Sequence, residues 1–308
     1  MSEHSNISWT SATWNPVVGC QKVSAGCDNC YAIRDGWRMG HNPNEKVNRA
    51  YSGLVYSLNG RLNWTGAVRT LEDRLEIPLH WKKPRRIFVN SQSDLFHKDV
   101  PEDFIRAVFS VMARAHWHTF QVLTKRPQRM AAILQEWMLD GLTLREGYGA
   151  DLPNVWLGTS VEDQKTANER IPSLIQTPAA VRFVSYEPAL GPVDFTNFEI
   201  MGHSMDALRG EWCSEDTSCM VSDKSDNAIG WVIVGGESGP GARVFDIGWA
   251  RSIVRQCRAA GVPVFVKQLG SRPMEFAPNC YRLVSLEDKN GGDPSEWPAD
   301  LQVQQFPA

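Results

Sequence analysis

The sequence predicts an α/β protein built on a full or partial TIM-type barrel, (β/α)6-like, with an irregular N-terminal excursion and a C-terminal cap. Three observations point there. Six short apolar runs each end in polar, small or charged residues. Several of the runs are separated by segments of about 10–15 residues with helical period, the alternation of parallel βαβ units. At 308 residues, a single barrel domain spanning 1–308 accounts for the chain. A doubly wound open sheet is the alternative, and it too gathers ligands at strand ends.

Residues 7–19 (ISWTSATWNPVVG) read as a short strand or extended lead-in broken at Asn15-Pro16, and residues 31–39 as a helix beginning at a cysteine. Residues 41–81 are polar, aromatic and Gly/Asn-punctuated without a period, an irregular cover or lid. The regular alternation follows. Strands are expected at 86–90, 119–123, 154–157, 181–185, 230–234 and 262–266, with helices at 101–115, 128–139, 164–176 and 247–260. Residues 140–152 form a Gly-rich connection, 196–227 a polar insertion carrying Cys213 and Cys219, and 270–308 an irregular cap.

Composition excludes some function classes. With 42% hydrophobic and 22% charged residues the chain is globular rather than disordered. A net charge of −3 gives no global nucleic-acid signature, so any such contact must be local. No apolar run approaches the ~20 residues that cross a bilayer, and the polar start is not a signal peptide, so a cytoplasmic protein without membrane contact is expected. In that compartment clustered cysteines point to metal or redox chemistry before disulfides.

The cluster is Cys20, Cys27 and Cys30, spaced C-x6-C-x2-C. Thiolates bind soft or borderline metals. Three ligands leave one position open, a defect in a structural zinc site but useful in a catalytic [4Fe–4S] cluster. By spacing alone both remain open, zinc needing a fourth ligand from Cys213, Cys219, Cys257, Cys280 or a histidine. If the barrel forms, the strand ends bring Ser91, Asp94, Lys125, Ser160, Glu162, Glu187, Glu237 and Lys267 to one face, where such folds build active sites. Glu187 at a strand end needs a partner, with Lys125, Arg126 and Lys267 as candidates. Gly235-Gly236-Glu237-Ser238-Gly239 lacks the Lys-Ser/Thr of a P-loop. It is either a close backbone approach to a ligand or a tight turn. Lys125, Arg126 and Arg243 are candidate holders of a substrate phosphate or carboxylate, and Glu187, Lys267 and Lys125 the candidate catalytic residues.

The blocks ISWTSATWNPVVGCQKVSAGCDNCYA, FVNSQSDLFHKDVP, FQVLTKRPQR, VWLGTSVED, FVSYEPALGP, WVIVGGESGPGAR and VFVKQLG run in order over residues 7–270. In these the chain resembles the phage-associated three-Cys-motif family, which is similar to radical S-adenosylmethionine (SAM) enzymes of the spore-photoproduct-lyase type. Those enzymes usually have C-x3-C-x2-C with an aromatic before the last cysteine; here the first gap is six residues and Tyr31 follows the motif. The resemblance implies a [4Fe–4S] cluster on Cys20, Cys27 and Cys30 that cleaves SAM and starts hydrogen abstraction from a small molecule, nucleotide or DNA base. It further implies an external one-electron donor and allows a partner protein. Ser91 to Asp94 would take the place of the element that binds the SAM amino group, with Asp94 accepting the ammonium. Ser160 and Glu162 would contact ribose, and Gly235, Gly236 and Glu237 would approach adenine or substrate. The rival reading is a structural zinc module that recruits nucleic acid or protein. A metal-dependent hydrolase is disfavoured because His97, His116 and His118 match no strand-end ligand set.

Overall fold

A computed structural model describes residues 5–144, 149, 151–200, 203–214, 217–220, 227–277 and 280–308. The central sheet has seven strands: β1 Ala12–Trp14, β2 Arg86–Val89, β3 Thr119–Thr124, β4 Val155–Val161, β5 Val181–Tyr186, β6 Trp231–Gly235 and β7 Val264–Gln268. They lie side by side in chain order. The pairings β1–β2, β2–β3, β5–β6 and β6–β7 are parallel. A doubly wound sheet reverses its order at a switch point; this order never reverses, as in sequentially wound barrels. The fold is therefore mixed α/β, with a seven-stranded parallel half-barrel sheet and helices around it.

The helices are α1 Tyr31–Gly40, α2 Glu102–Arg114, α3 Pro127–Leu139, α4 Gln164–Gln176 and α5 Ile247–Ala260. β4 is buried along its whole length, which is why its sequence, VWLGTSV, shows no strict alternation of apolar and polar residues. α2 buries Phe104, Ile105, Val108, Phe109, Val111 and Met112, the stripe its period predicted. α5 starts where Asp246 accepts the Gly248 N–H at 2.8 Å and stops at Gly261, whose φ of +69° suits a left-handed cap. No described helix is long and apolar enough to cross a membrane.

The chain divides into two compact units. One comprises Met1–Leu157 with Thr177–Ala180, the other Gly158–Gln176 with Val181–Ala308.

In the first unit, the excursion expected to be irregular is ordered. A helix at Glu45–Tyr51 is capped by Asn44, and a hairpin joins Val55–Leu58 to Arg61–Trp64. The hairpin turns at Asn59-Gly60, both at positive φ, the Asn-Gly signal of a tight two-residue turn. Val17–Val18 pairs antiparallel with Arg69–Thr70. Val18, Ala32, Ile33, Ala50, Tyr51, Leu54, Val55 and Trp64 form a small core, and Cys20 and Cys30 pack against it. The segment is thus a scaffold for the cysteine loop.

In the second unit, the polar insertion is a four-stranded antiparallel meander, Phe198–Ile200, His203–Asp206, Glu211–Ser214 and Thr217–Met220. The cap contains a hairpin, Pro273–Ala277 with Cys280–Leu283, joined to Phe245–Asp246. Beyond it the chain returns to the β7 edge. Val266 N–H donates to Val303 O at 2.8 Å and Gln305 N–H to Val264 O at 3.0 Å, which covers a sheet edge that would otherwise be bare. The side chains of Cys213 and Cys219 and most of the connection at 145–150 lie outside the described residues.

Candidate functional site

The cysteine loop is set by what flanks it. Gly19 has φ +86°, and a Cβ there would lie 2.4 Å from the Ala67 carbonyl oxygen, so no other residue fits. Gly19 also bridges to Ser93, extending the β1–β2 pairing to the first cysteine. Residues Ala25–Cys27 make a 3-10 turn, and Cys30 is the residue before α1, with its carbonyl accepting from Ile33 N–H at 3.2 Å.

The cysteines are partly exposed as residues, and Cys20 and Cys30 pack against the small core. Burial pushes the Cys20 thiol up to about 12; nearby Asp94, Cys30 and Cys27 add to the rise and Arg126 opposes it. Burial raises Cys30 as well, with the N–H groups of Ala32 and Ile33 and the Lys125 ammonium pulling the other way. The three thiols therefore feel one another electrostatically. A buried thiolate is costly without a compensating cation. Thiols are the donor type that thiophilic metals take. Among the described residues no three His, Cys, Asp or Glu side chains are grouped so as to hold a metal ion.

Arg126 joins the end of β3 to this loop. It donates to Asp94 Oδ2 at 2.7 Å and to the carbonyl of Gln21, the residue after Cys20, at 3.1 Å. Burial works against its charge, yet Asp94 and Cys20 together hold its pKa above the ordinary value. Asp94 is buried and fully occupied. Oδ1 accepts from Thr124 Oγ1 at 2.7 Å and Phe96 N–H at 3.0 Å, and Oδ2 from Arg126 and from Lys125 N–H at 3.2 Å. The Ser91 hydroxyl donates to Asn15 Oδ1 at 3.2 Å, and the Ser91 carbonyl accepts from Tyr31 Oη at 2.8 Å. Asn15, also accepting Gln92 N–H at 3.1 Å, is a hub that sequence reasoning passed over as a chain break.

In the second unit the expected carboxylates are each paired with a cation. Glu162 lies 3.1 and 3.2 Å from Arg170 Nη1, which also donates to the Ser160 carbonyl at 2.6 Å. Arg170 was missed; its signal was a cation on the helix that follows Glu162. Glu187 pairs with Lys267, one of its three expected partners. Glu237 takes a two-pronged grip from Arg243, whose Nε and backbone N–H both reach Oε2 at 2.9 Å. The glycines face protein. A Cβ on Gly235 would meet the Glu187 carboxylate at 3.2 Å, and one on Gly236 the Leu269 carbonyl at 2.6 Å and Phe245 Cβ at 2.9 Å. Both close approaches are to the protein's own groups.

In the first unit the structure ties Arg126 and the Lys125 N–H to Asp94, and Arg126 to the Gln21 carbonyl beside Cys20. In the second it forms the separate pairs Glu162–Arg170, Glu187–Lys267 and Glu237–Arg243. No curated protein and no solved structure matches the chain. Residues 4–293 match the model of the family described as Protein of unknown function (DUF5131), and the chain belongs to that family.

Proposed function

We propose that this protein is a radical SAM enzyme of the cytoplasm, with a [4Fe–4S] cluster on Cys20, Cys27 and Cys30 and a partial (β/α)6-type barrel as its frame. The observation that carries this reading is the cysteine loop: three cysteines on one turn-and-helix unit, two of them packed against the same small core, with Arg126 donating to the loop backbone at Gln21. When bound, such a cluster supplies the electron that splits SAM into methionine and a 5′-deoxyadenosyl radical, which takes a hydrogen from substrate.

The chain's own residues hold and tune that centre. Gly19 fixes where Cys20 stands. Arg126 offsets thiolate charge beside Cys20, and Asp94 keeps Arg126 there. Asp94 is then a positioning residue, because its two oxygens already have four protein donors. Ala32 and Ile33 N–H groups do for Cys30 what Arg126 does for Cys20. Ser91 and Lys125 are the candidate contacts for cofactor or substrate. Glu162, Glu187 and Glu237, with Arg170, Lys267 and Arg243, hold their strand ends electrically neutral. A one-electron donor from outside the chain is required, and the substrate class is a nucleotide or nucleic acid base.

Anaerobic purification followed by iron, sulfide and zinc analysis tests this. The expected result is ~4 iron and ~4 sulfide per chain, a broad band near ~400 nm, and 5′-deoxyadenosine on addition of dithionite and SAM. A colourless protein carrying one zinc per chain refutes it and supports the zinc-module reading.

A further inference from the structure

Helix α1 has two unlike sides. Ala32, Ile33 and Gly36 face the small core, and Gly36 lets the hairpin lie close, since a Cβ would sit 3.0 Å from the Trp64 ring. On the other side Tyr31, Arg34, Arg38 and His41 are all exposed, at spacings of three, four and three that align them in one row. Asp35 meets Arg38 at 3.0 Å, but the pair is open to solvent, with Arg38 69% exposed, and such pairs contribute little. The surroundings are basic. Residues 31–70 hold six Lys/Arg and two Asp/Glu in a chain whose net charge is −3.

Tyr31 adds a second, independent feature. Its hydroxyl is tied to the Ser91 carbonyl at 2.8 Å while the residue stays 44% exposed. The ring is held in place before any ligand arrives, so little ordering cost remains for stacking. The far end of the row has another aromatic pair, Trp37 and His41, with ring centroids 4.0 Å apart.

We infer that this row is a binding surface for single-stranded nucleic acid, with phosphates on Arg34 and Arg38 and a base stacked on Tyr31 beside Cys30. The two arginines are ~6 Å apart along the helix axis, on the order of the phosphate repeat of an extended strand. An acidic protein would use the arginines but has no need of a pinned, exposed ring; stacking favours a nucleic acid. That the strand is also the substrate rests on the radical SAM reading above, whereas the binding itself does not.

The test is fluorescence anisotropy of a labelled mixed-sequence 20-nucleotide DNA strand, titrated with the full chain across a salt series. Metal-loaded and metal-free protein are both measured. Wild type should bind with log K falling by ~0.7 per phosphate held, per decade of salt. Arg34→Ser/Arg38→Ser should weaken binding roughly tenfold or more at low salt and flatten the slope by ~1.4. Tyr31→Ala should weaken binding roughly tenfold with the slope unchanged, and Tyr31→Phe, which keeps the ring, should stay within about threefold of wild type. Thermal melting checks that the variants fold. Absence of binding at low salt, or wild-type affinity in the double variant, overturns the inference. So does poly-glutamate competing as well as DNA while Tyr31→Ala binds normally, which would assign the surface to an acidic protein. Colourless protein that still binds DNA sinks the radical reading alone; iron-loaded protein that does not bind sinks this one alone.

Discussion

The Glu162–Arg170 pair offers the sharpest test of how the strand ends are built. Its side chains are 1% and 5% exposed, and one guanidinium nitrogen lies 3.1 Å from the carboxylate. At that distance, with an effective dielectric of ~20, the attraction is about 5 kcal/mol. Desolvation cancels most of this in the intact pair, but removing one partner strands the other as a buried charge, at about 3–5 kcal/mol. Glu162→Gln should therefore cost about 3 kcal/mol in urea unfolding, read as a lower midpoint with an unchanged slope. Arg170→Met should cost a similar amount and also free the Ser160 carbonyl. The double variant Glu162→Leu/Arg170→Met should recover to within about 1–2 kcal/mol of wild type, because an apolar pair of similar volume replaces a buried ion pair at little net loss. If Glu162→Gln costs under about 0.5 kcal/mol, or the double variant is as unstable as the sum of the singles, the carboxylate is not serving Arg170 and a ligand role for it returns.

Cys20→Ala, Cys27→Ala and Cys30→Ala should each abolish iron binding, whereas Cys257→Ala, in the buried face of α5, should keep full iron content by colorimetric assay. Burial pushes the Cys257 thiol up from 9.0 to about 12. The folded chain therefore holds a proton that the unfolded chain releases above pH 9, and this share of stability is present below that value and falls by about 1.4 kcal/mol per pH unit above it. Urea midpoints from pH 8 to 11 should decline less steeply in Cys257→Ala, and equal slopes would refute the assignment. Burial lowers the His97 and His118 pKa values below 6.5. The unfolded chain then takes up protons first as pH falls, so stability should drop from about pH 6.5 downward, and His97→Gln should blunt the drop. Gly19→Ala, with its Cβ 2.4 Å from a carbonyl oxygen, should lower iron content by displacing Cys20 while far-ultraviolet circular dichroism stays near wild type.

The frame was readable because buried parallel strands declare themselves. WVIVG is apolar on both faces and VWLGTSV opens on an apolar run, and their flanking helices keep a 3.6-residue period. Sequential order was not readable, since either winding produces the same alternation, and pairing decides it. The excursion failed for a different reason. Its elements are only 2 to 7 residues long, too short to show a period, and they depend on a shared core instead of their own pattern. The Asn59-Gly60 turn was the local clue left unused. At the site, the cysteines were visible as a motif, but partners were not. Glu187 and Lys267 are 80 positions apart, and Asp94 and Arg126 are 32. Charges at strand ends looked available because a sequence shows each carboxylate without the cation that occupies it.

Two of the loop cysteines, Cys20 and Cys30, pack against the excursion's small core. Whatever grips these cysteines bears on the hairpin and helix around them. A centre that binds the folded loop adds RT ln(1 + [L]/Kd) to the local opening free energy of that core. Amides of Val55–Leu58 and Arg61–Trp64 should then exchange with deuterium more slowly in loaded protein than in stripped protein, while β5 and β6 amides keep their rates. The hairpin would serve as an occupancy gauge, reporting the state of the thiols from backbone protons that touch no metal.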